Sequence, residues 1–506
     1  MTTLPPQTGF FGHPAGLRTL FFAEMWERFS YYGMRALLVL FMTAPKEVGG
    51  LGWEVLKAGA VYGVYTSLVY MLSLPGGWIA DRIIGQRKAV FWGGVVIMLG
   101  HIALAVPIEN FFFLGLGLVV VGTGLLKPNI STIVGQLYSK DDIRRDGGFS
   151  IFYMGINLGG FAAPLVTAYL AQSPGFKATL AGWGLSPENS WHFGFAAAAV
   201  GMALGLIWYV VDSKSMGDAG LHPAPVSGPE EHAQLRRLLW GNVALLVAIL
   251  GIIGALGAAG VIEITAARVN TAFGGLLLVT VLVFFGWLFF AAKWTPEERR
   301  RLVVIAVLFL GAAVFWSVFE QAGSTLSLFA DRSTRNEIFG KSFTSGSWQS
   351  INSLWIILLA PVFAWVWVKL GNRNPSSPAK FAFGLLFVSL SFAWMVPAAK
   401  LAGEGNRVGW WWLLVCYFLQ TVGELSLSPV GLSAMTKLAP TRVVSLMMGV
   451  WFLAASVGNY IGGNVASLYE SFSLPTLFGA VSLYALAFAI ILALLVRPIN
   501  RMLAKG

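Results

Sequence analysis

Seven ionisable side chains stand inside long apolar runs of this chain: Glu24, Glu27, Arg28 and Arg35 in the first run, Lys127 in the fourth, and Glu320 and Glu424 in later ones. A charge at the centre of a hydrocarbon layer costs about 2.5–3.5 kcal/mol on an insertion scale, so seven left unpaired would cost on the order of 20 kcal/mol. They must face one another or a wet cavity. In the first run Glu24 and Arg28 are spaced i, i+4, Arg28 and Tyr31 i, i+3, and Tyr31 and Arg35 i, i+4. That spacing puts acid, base, phenol and base on one helical stripe, with Glu27 about 100° round from Arg28. One intrahelical ion pair would suffice to make such a helix insertable, and four ionisable groups go beyond that need. Opposed charges can hold the two ends of a zwitterion, and the surplus of one carboxylate suits a solute that travels with a proton.

The elements that must position these groups follow from composition. Of 506 residues, 57% are hydrophobic and only 11% charged, whereas a soluble protein carries about a quarter charged residues. A water-soluble chain is excluded. Apolar runs predict helices near 18–42, 58–80, 89–107, 111–134, 149–171 and 192–211, then 238–263 and 272–292, then 302–330, 349–369, 380–399, 410–436, 443–469 and 475–496. The grouping is six, two, six. The fold expected is an all-α membrane protein of two six-helix bundles plus two extra helices, fourteen transmembrane helices in all. Its parts are an N-terminal bundle over 1–211, a linker with the two extra helices over 212–301, and a C-terminal bundle over 302–506. The extra pair has few polar interruptions besides Glu263 and reads as lipid-facing and peripheral to transport.

Charge and rare residues narrow the function. With the N-terminus inside, the inner gaps hold Arg82, Arg87, Lys88, Arg144, Arg145, Arg299, Arg300 and Arg301, and the outer gaps hold far fewer basic residues. Both termini are therefore expected in the cytoplasm, and this bias accounts for the formal charge of +11 without a nucleic-acid partner. The lone Cys416 excludes an intramolecular disulfide framework, and the five histidines show no paired ligand spacing, so no metal and no cofactor is expected. The early charges of the first run are unlike a cleaved signal peptide. No serine nucleophile, zinc motif or aspartate dyad supports an enzyme, and two unlike halves do not make the subunit ring of a channel.

Two bundles joined by a central connection place a solute site near the midplane between them. Counted at 1.5 Å per residue from the nearest polar boundary, Arg35 and Glu320 reach nearly the same depth, and so do Lys127 and Glu424. Arg35–Glu320 and Lys127–Glu424 are thus expected as ion pairs between the halves that form and break as the halves rock. Trp410, Trp411 and Trp412 open a run and read as an interfacial belt, while Trp316 and Trp451 lie inside runs.

These residues carry a resemblance. Glu24 to Gly33 reads EMWERFSYYG and resembles the ExxERFxYYG motif of the proton-dependent oligopeptide transporter family, within the major facilitator superfamily. Gly77-Trp78-Ile79-Ala80-Asp81-Arg82, continuing to Gly85 and Arg87-Lys88, is similar to the cytoplasmic loop shared by that superfamily, where Asp81 and basic partners would brace the inner side. Gly122-Thr123-Gly124 with Lys127-Pro128-Asn129 resembles the family's fourth helix, and Phe149 to Gly159 its fifth. Phe315-Trp316 with Phe319-Glu320-Gln321, Gln349 to Asn352, and Gly423-Glu424-Leu425 through Ser428-Pro429 resemble the seventh, eighth and tenth.

The resemblance implies proton-driven uptake of di- and tripeptides by alternating access in a bacterial cytoplasmic membrane. The partners implied are peptides, protons and membrane lipid, and a monomer suffices. Glu24, Glu27 and Arg28 would belong to the proton-coupling network. Arg35 and Lys127 would attract the peptide carboxylate. Glu424, with Asn157 and Asn352, would hold the peptide amine, and Glu320, paired to Arg35, would be a protonation switch. Tyr31, Tyr32, Tyr70, Tyr153, Trp316 and Trp451 would line the pockets, with Gln321 and Ser428 beside them. A single amino acid or nitrate on the same scaffold is the alternative solute. The chain departs from the family pattern at Ser353, where many members have proline, and at Phe319, where some carry an acid. His101 has no match to the proton-linked histidine of animal relatives and reads as structural.

Overall fold

The computed structural model describes residues 9–139, 142–224, 228–291, 293–440 and 444–504. Fourteen long helices lie over the fourteen apolar runs. The first half comprises α1 (Gly16–Thr43), α2 (Val55–Met71), α3 (Gln86–Leu104), α4 (Glu109–Gln136), α5 (Arg145–Gln172) and α6 (Ser190–Val211). Then come α7 (Pro229–Ala258) and α8 (Ala266–Gly286). The second half comprises α9 (Pro296–Phe319), α10 (Ser350–Leu370), α11 (Ser377–Leu401), α12 (Trp411–Leu438), α13 (Val444–Ser467) and α14 (Leu474–Ala504). A helix satisfies its own backbone, which hydrocarbon requires. Among the described residues, twelve segments are long and apolar enough to cross a membrane. Helix α1 is not among them because of its charges.

Three local features depart from the expected runs. Helix α9 does not continue to residue 330. It ends at Phe319, tightens into a turn over Glu320–Gly323, and resumes as Thr325–Arg332. A Cβ on Gly323 would overlap the Tyr62 hydroxyl and the Arg35 guanidinium, so glycine at this turn admits those two side chains where they stand. The second run continues past Leu72 as Ser73–Ile79 and the turn Ala80–Ile84. A short helix, Pro174–Gly182, starts on a proline and buries Phe176 and Leu180 where no element was expected.

Helix association in lipid relies on close packing and hydrogen bonds because burial of apolar surface gains little there. Within the first half α1 packs on α5 and α6, and α3 on α4. Within the second α11 packs on α14 and α12, and α9 on α13. The halves meet along two seams. In the first, α2 and α13 touch backbone to backbone: a Cβ on Gly463 would lie 2.2 Å from Gly63 Cα. Nearer the middle, Ser67 Oγ donates to the Ser456 carbonyl at 2.8 Å and Ser456 Oγ returns a bond to the Ser67 carbonyl at 3.0 Å. In the second seam, α5 meets α10. Ser350 Oγ donates to the Phe161 carbonyl at 2.7 Å, and Ser353 Oγ fills the space a Cβ on Gly160 would take, at 2.6 Å. Helix α10 runs unbroken past Ser353, with Pro361 inside it.

The segment after α6 is bound to the first half. Asp212 accepts two hydrogen bonds from Arg18, at 2.6 and 3.1 Å, and one from Thr19 Oγ1 at 2.7 Å. Arg87 donates to the carbonyls of Ala219 and Gly217, and the Gly220 amide donates to Gln136 Oε1. Burial works against the Asp212 carboxylate, but the bonds from Arg18 and Thr19 outweigh it and hold its pKa below the ordinary value. Asp81 accepts from Gln86 Nε2 at 2.8 Å, so the loop is braced through Gln86 and the linker carbonyls. No described residue of α7 is buried in protein. Helix α8 lies on the α2–α13 seam, where Asn270 Nδ2 donates to Asn464 Oδ1 at 2.7 Å and Tyr460 donates to the Asn270 carbonyl at 2.9 Å.

Candidate functional site

The seven charges do not face lipid. Glu24, Glu27, Arg28, Arg35 and Glu320 are buried, and Lys127 and Glu424 are partly buried. On α1 one guanidinium joins both acids: Arg28 Nε donates to Glu24 Oε1 at 2.7 Å and stands 2.7 Å from Glu27 Oε2. Glu24 Oε2 and both oxygens of Glu27 have no aligned hydrogen-bond partner, so the cluster keeps acceptor capacity in a buried place. Arg28 also lies over the Tyr31 ring, 5.7 Å from its centroid.

Two turns further along, Arg35 reaches across to the second half. Its Nη2 is 2.7 Å from Glu320 Oε2, at the point where α9 gives way to the tighter turn. Arg35 Nε donates to the Tyr62 hydroxyl at 3.0 Å, and its guanidinium carbon is 5.9 Å from the Tyr32 centroid. The helix break positions the Glu320 carboxylate, and α2 supplies the phenol. Tyr62 was not singled out from sequence, although Tyr62, Thr66 and Tyr70 follow the i, i+4, i+8 spacing of one face.

The expected Lys127–Glu424 pair is not formed. Lys127 Nζ lies 3.8 Å from the centre of the Tyr70 ring, a cation–π contact, within electrostatic range of Glu24, Glu27 and Glu320. Glu424 Oε2 accepts from Asn352 Nδ2 at 3.0 Å, and the same amide donates to Thr421 Oγ1 at 3.0 Å. Each group has found a partner on its own half. Equal depth sets a level on two helices and leaves their facing undetermined, which is why counting overstated this contact.

The remaining residues divide. Tyr153 lies within electrostatic range of Glu424, and Asn157 donates to the Tyr153 carbonyl at 2.9 Å. Trp316 and Trp451 meet edge to face with centroids 6.3 Å apart, and the Trp316 indole nitrogen is buried without an acceptor. Gln321 is turned into its own element, donating to the Ser317 carbonyl and accepting from Thr325, both at 3.0 Å. One amide hydrogen and one lone pair of the oxygen are used in this way. Ser428 stands one turn beyond Glu424 on α12, partly buried. His101 is fully buried in α3 with neither ring nitrogen partnered and no acid against it. Among the described residues no group of three or more potential ligands is arranged for a metal ion.

A family model described as the POT family matches residues 87–482. The chain belongs to the POT family. It is 40% identical over 518 residues to the peptide transporter YePEPT of Yersinia enterocolitica, covering 99% of this chain and 98% of that one. It is 37% identical over 507 residues to a di-/tripeptide transporter of Lactococcus lactis subsp. cremoris, covering 98% and 97%. A crystal structure of a peptide transporter POT in complex with sulfate superposes with a TM-score of 0.86 at 43% identity, covering 99% of this chain and 98% of that chain. As a POT family member, the chain is an integral membrane transporter with the two-bundle fold of the major facilitator superfamily.

Proposed function

We propose that this chain is a proton-coupled symporter that imports di- and tripeptides by alternating access across a bacterial cytoplasmic membrane, with both termini inside. The observation that carries the reading is the buried Arg35–Glu320 ion pair at 2.7 Å, which joins the two halves next to a second, unpaired set of opposite charges. Relatives named as peptide and di-/tripeptide transporters support the substrate class. Short peptides share only their charged ends. A carrier of many sequences does best to clamp those ends and leave the side chains to apolar and aromatic walls. Here Arg35 and Lys127 on the first half offer cations for the carboxylate, and Glu424 with Asn352 on the second offers acceptors for the amine.

Proton coupling then follows from competition for Arg35. While Glu320 is ionised it holds the guanidinium. Protonation of Glu320 releases Arg35 to the peptide carboxylate, and loss of that proton draws Arg35 back and expels the peptide. Glu24 and Glu27, sharing Arg28 two turns away, store or pass the proton. The chain acts as a carrier rather than an enzyme, needs no cofactor, and draws its energy from the proton gradient; one copy suffices.

Reconstituted protein with an imposed proton gradient tests this directly. Di- and tripeptides should accumulate and compete with one another, and Glu320→Gln should end gradient-driven uptake while leaving counterflow. Accumulation of nitrate or a single amino acid, uninhibited by dipeptides, would overturn the substrate assignment.

A further inference from the structure

Between the start of α11 and the end of α14 lies an open cavity of about 510 Å³, far from the charged centre. Its volume falls within the roughly 300–1,000 Å³ of ligand sites. The furrow exists because Ala379, Ala382 and Ala493 are small, and Phe383, Leu494, Val496 and Arg497 complete it. Higher up the same helices are held together: Ser389 Oγ donates to the Ser482 carbonyl at 2.8 Å and Ser482 Oγ returns a bond at 2.9 Å. At the lower end Asn500 Nδ2 donates to Ser376 Oγ at 3.1 Å.

The groove has a defined depth and sign. About 20 residues cross the hydrocarbon, so α14, starting at Leu474, reaches headgroup level near Leu494. Arg497 therefore sits at the membrane boundary, and Arg501 follows one turn on along the same stripe; both are exposed. Lys369 and Lys380, each over a tryptophan ring, mark the same boundary on α10 and α11. No Asp or Glu occurs in residues 338–403 or 471–506, so no carboxylate on α10, α11 or α14 answers these cations.

We propose that this groove binds a two-chain anionic phospholipid. The headgroup phosphate sits on Arg497 and Arg501, and an acyl chain lies along Ala379, Ala382, Ala493 and Leu494. Apolar walls select a chain, and the positive charge at the mouth, to which α10, α11 and α14 offer no carboxylate, selects a net-negative headgroup over a zwitterionic one.

Native mass spectrometry of the full-length protein, titrated with phosphatidylglycerol, cardiolipin or phosphatidylcholine, tests the site. The wild type should bind the two anionic lipids more tightly than phosphatidylcholine. Losing both guanidinium groups in Arg497→Ala with Arg501→Ala should weaken anionic binding by roughly 25-fold, about five-fold per charge, with phosphatidylcholine binding unchanged. Arg497→Lys with Arg501→Lys should retain it. Ala493→Phe, which fills the furrow and leaves both arginines, should weaken it again. Equal affinity for all three lipids, or anionic binding unaltered in the double alanine variant, would overturn the proposal. So would a dimer that disappears in Ala493→Phe, which would give the groove to a second copy.

Discussion

Two sets of opposite charges face the space between the halves, and they are in different states. Arg35 and Glu320, nearer the end where α1 and the Thr325–Arg332 helix finish, are joined at 2.7 Å. Lys127 and Glu424 are satisfied separately, by the Tyr70 ring and by Asn352. The difference teaches that charge matching across the halves is local. One pair is closed by a helix break that brings the carboxylate to the guanidinium, and the other is the one the proposed function gives to the solute. A peptide is such a solute, since it carries both complementary charges itself.

The largest expected effect removes the closed pair's titratable carboxyl. Glu320→Gln should reduce gradient-driven peptide uptake to background with counterflow preserved, read in proteoliposomes with and without a pH step. Uptake unchanged by this substitution would end the proposed coupling. Next, Lys127→Ala should also abolish accumulation but act through binding, raising the peptide concentration needed for half-maximal counterflow by more than about tenfold, the loss of one charged hydrogen bond of about 1.5–3 kcal/mol. If Lys127→Ala instead left peptide affinity unchanged, the open set would not be the substrate's.

A third experiment exchanges the closed pair. Arg35→Glu with Glu320→Arg should restore folding relative to either single change, because breaking a buried pair costs about 3–5 kcal/mol. Transport should not return, since the carboxylate then sits on the other half. A smaller effect is expected away from the charges. Ser67→Ala with Ser456→Ala removes the reciprocal bonds of the α2–α13 seam and should lower unfolding stability by about 1–3 kcal/mol, read as a fall in melting temperature with coupling intact. Smallest is Asp212→Asn, which should cost about 1 kcal/mol or less. The Asp212 pKa is depressed in the folded protein. The stabilisation it gives is therefore present above the ordinary carboxylate value near about 4 and is lost as pH falls through the folded value. The wild type and the variant should converge in acid.

Much of the fold was legible because hydrocarbon leaves few options: long apolar runs become helices, and all fourteen runs did. Arg35 and Glu320 were found by counting depth. The same count failed for Lys127 and Glu424, because depth fixes height and leaves the facing of each side chain open. The α9 break escaped notice because no proline marks it. Gly323 is one glycine among 59, and its need becomes visible only when Tyr62 and Arg35 are placed against it. Gln321, one position from Glu320, shares its motif but is turned inward by Ser317 and Thr325. Residues 217–220 are bound to the first half through their backbone carbonyls and the Gly220 amide, which have no sequence signal.

That strap has a mechanical meaning. With Asp212 to Gly220 tied beneath the first bundle, the tether to the second begins later than the end of α6 and runs through α7, whose described residues are none of them buried, and α8, which is clipped by Asn270 to Asn464 and Tyr460. Any swing of one bundle against the other must drag this hairpin sideways through the acyl chains. In the proposed cycle, turnover would then be geared to the thickness and viscosity of the bilayer as well as to the gradient across it.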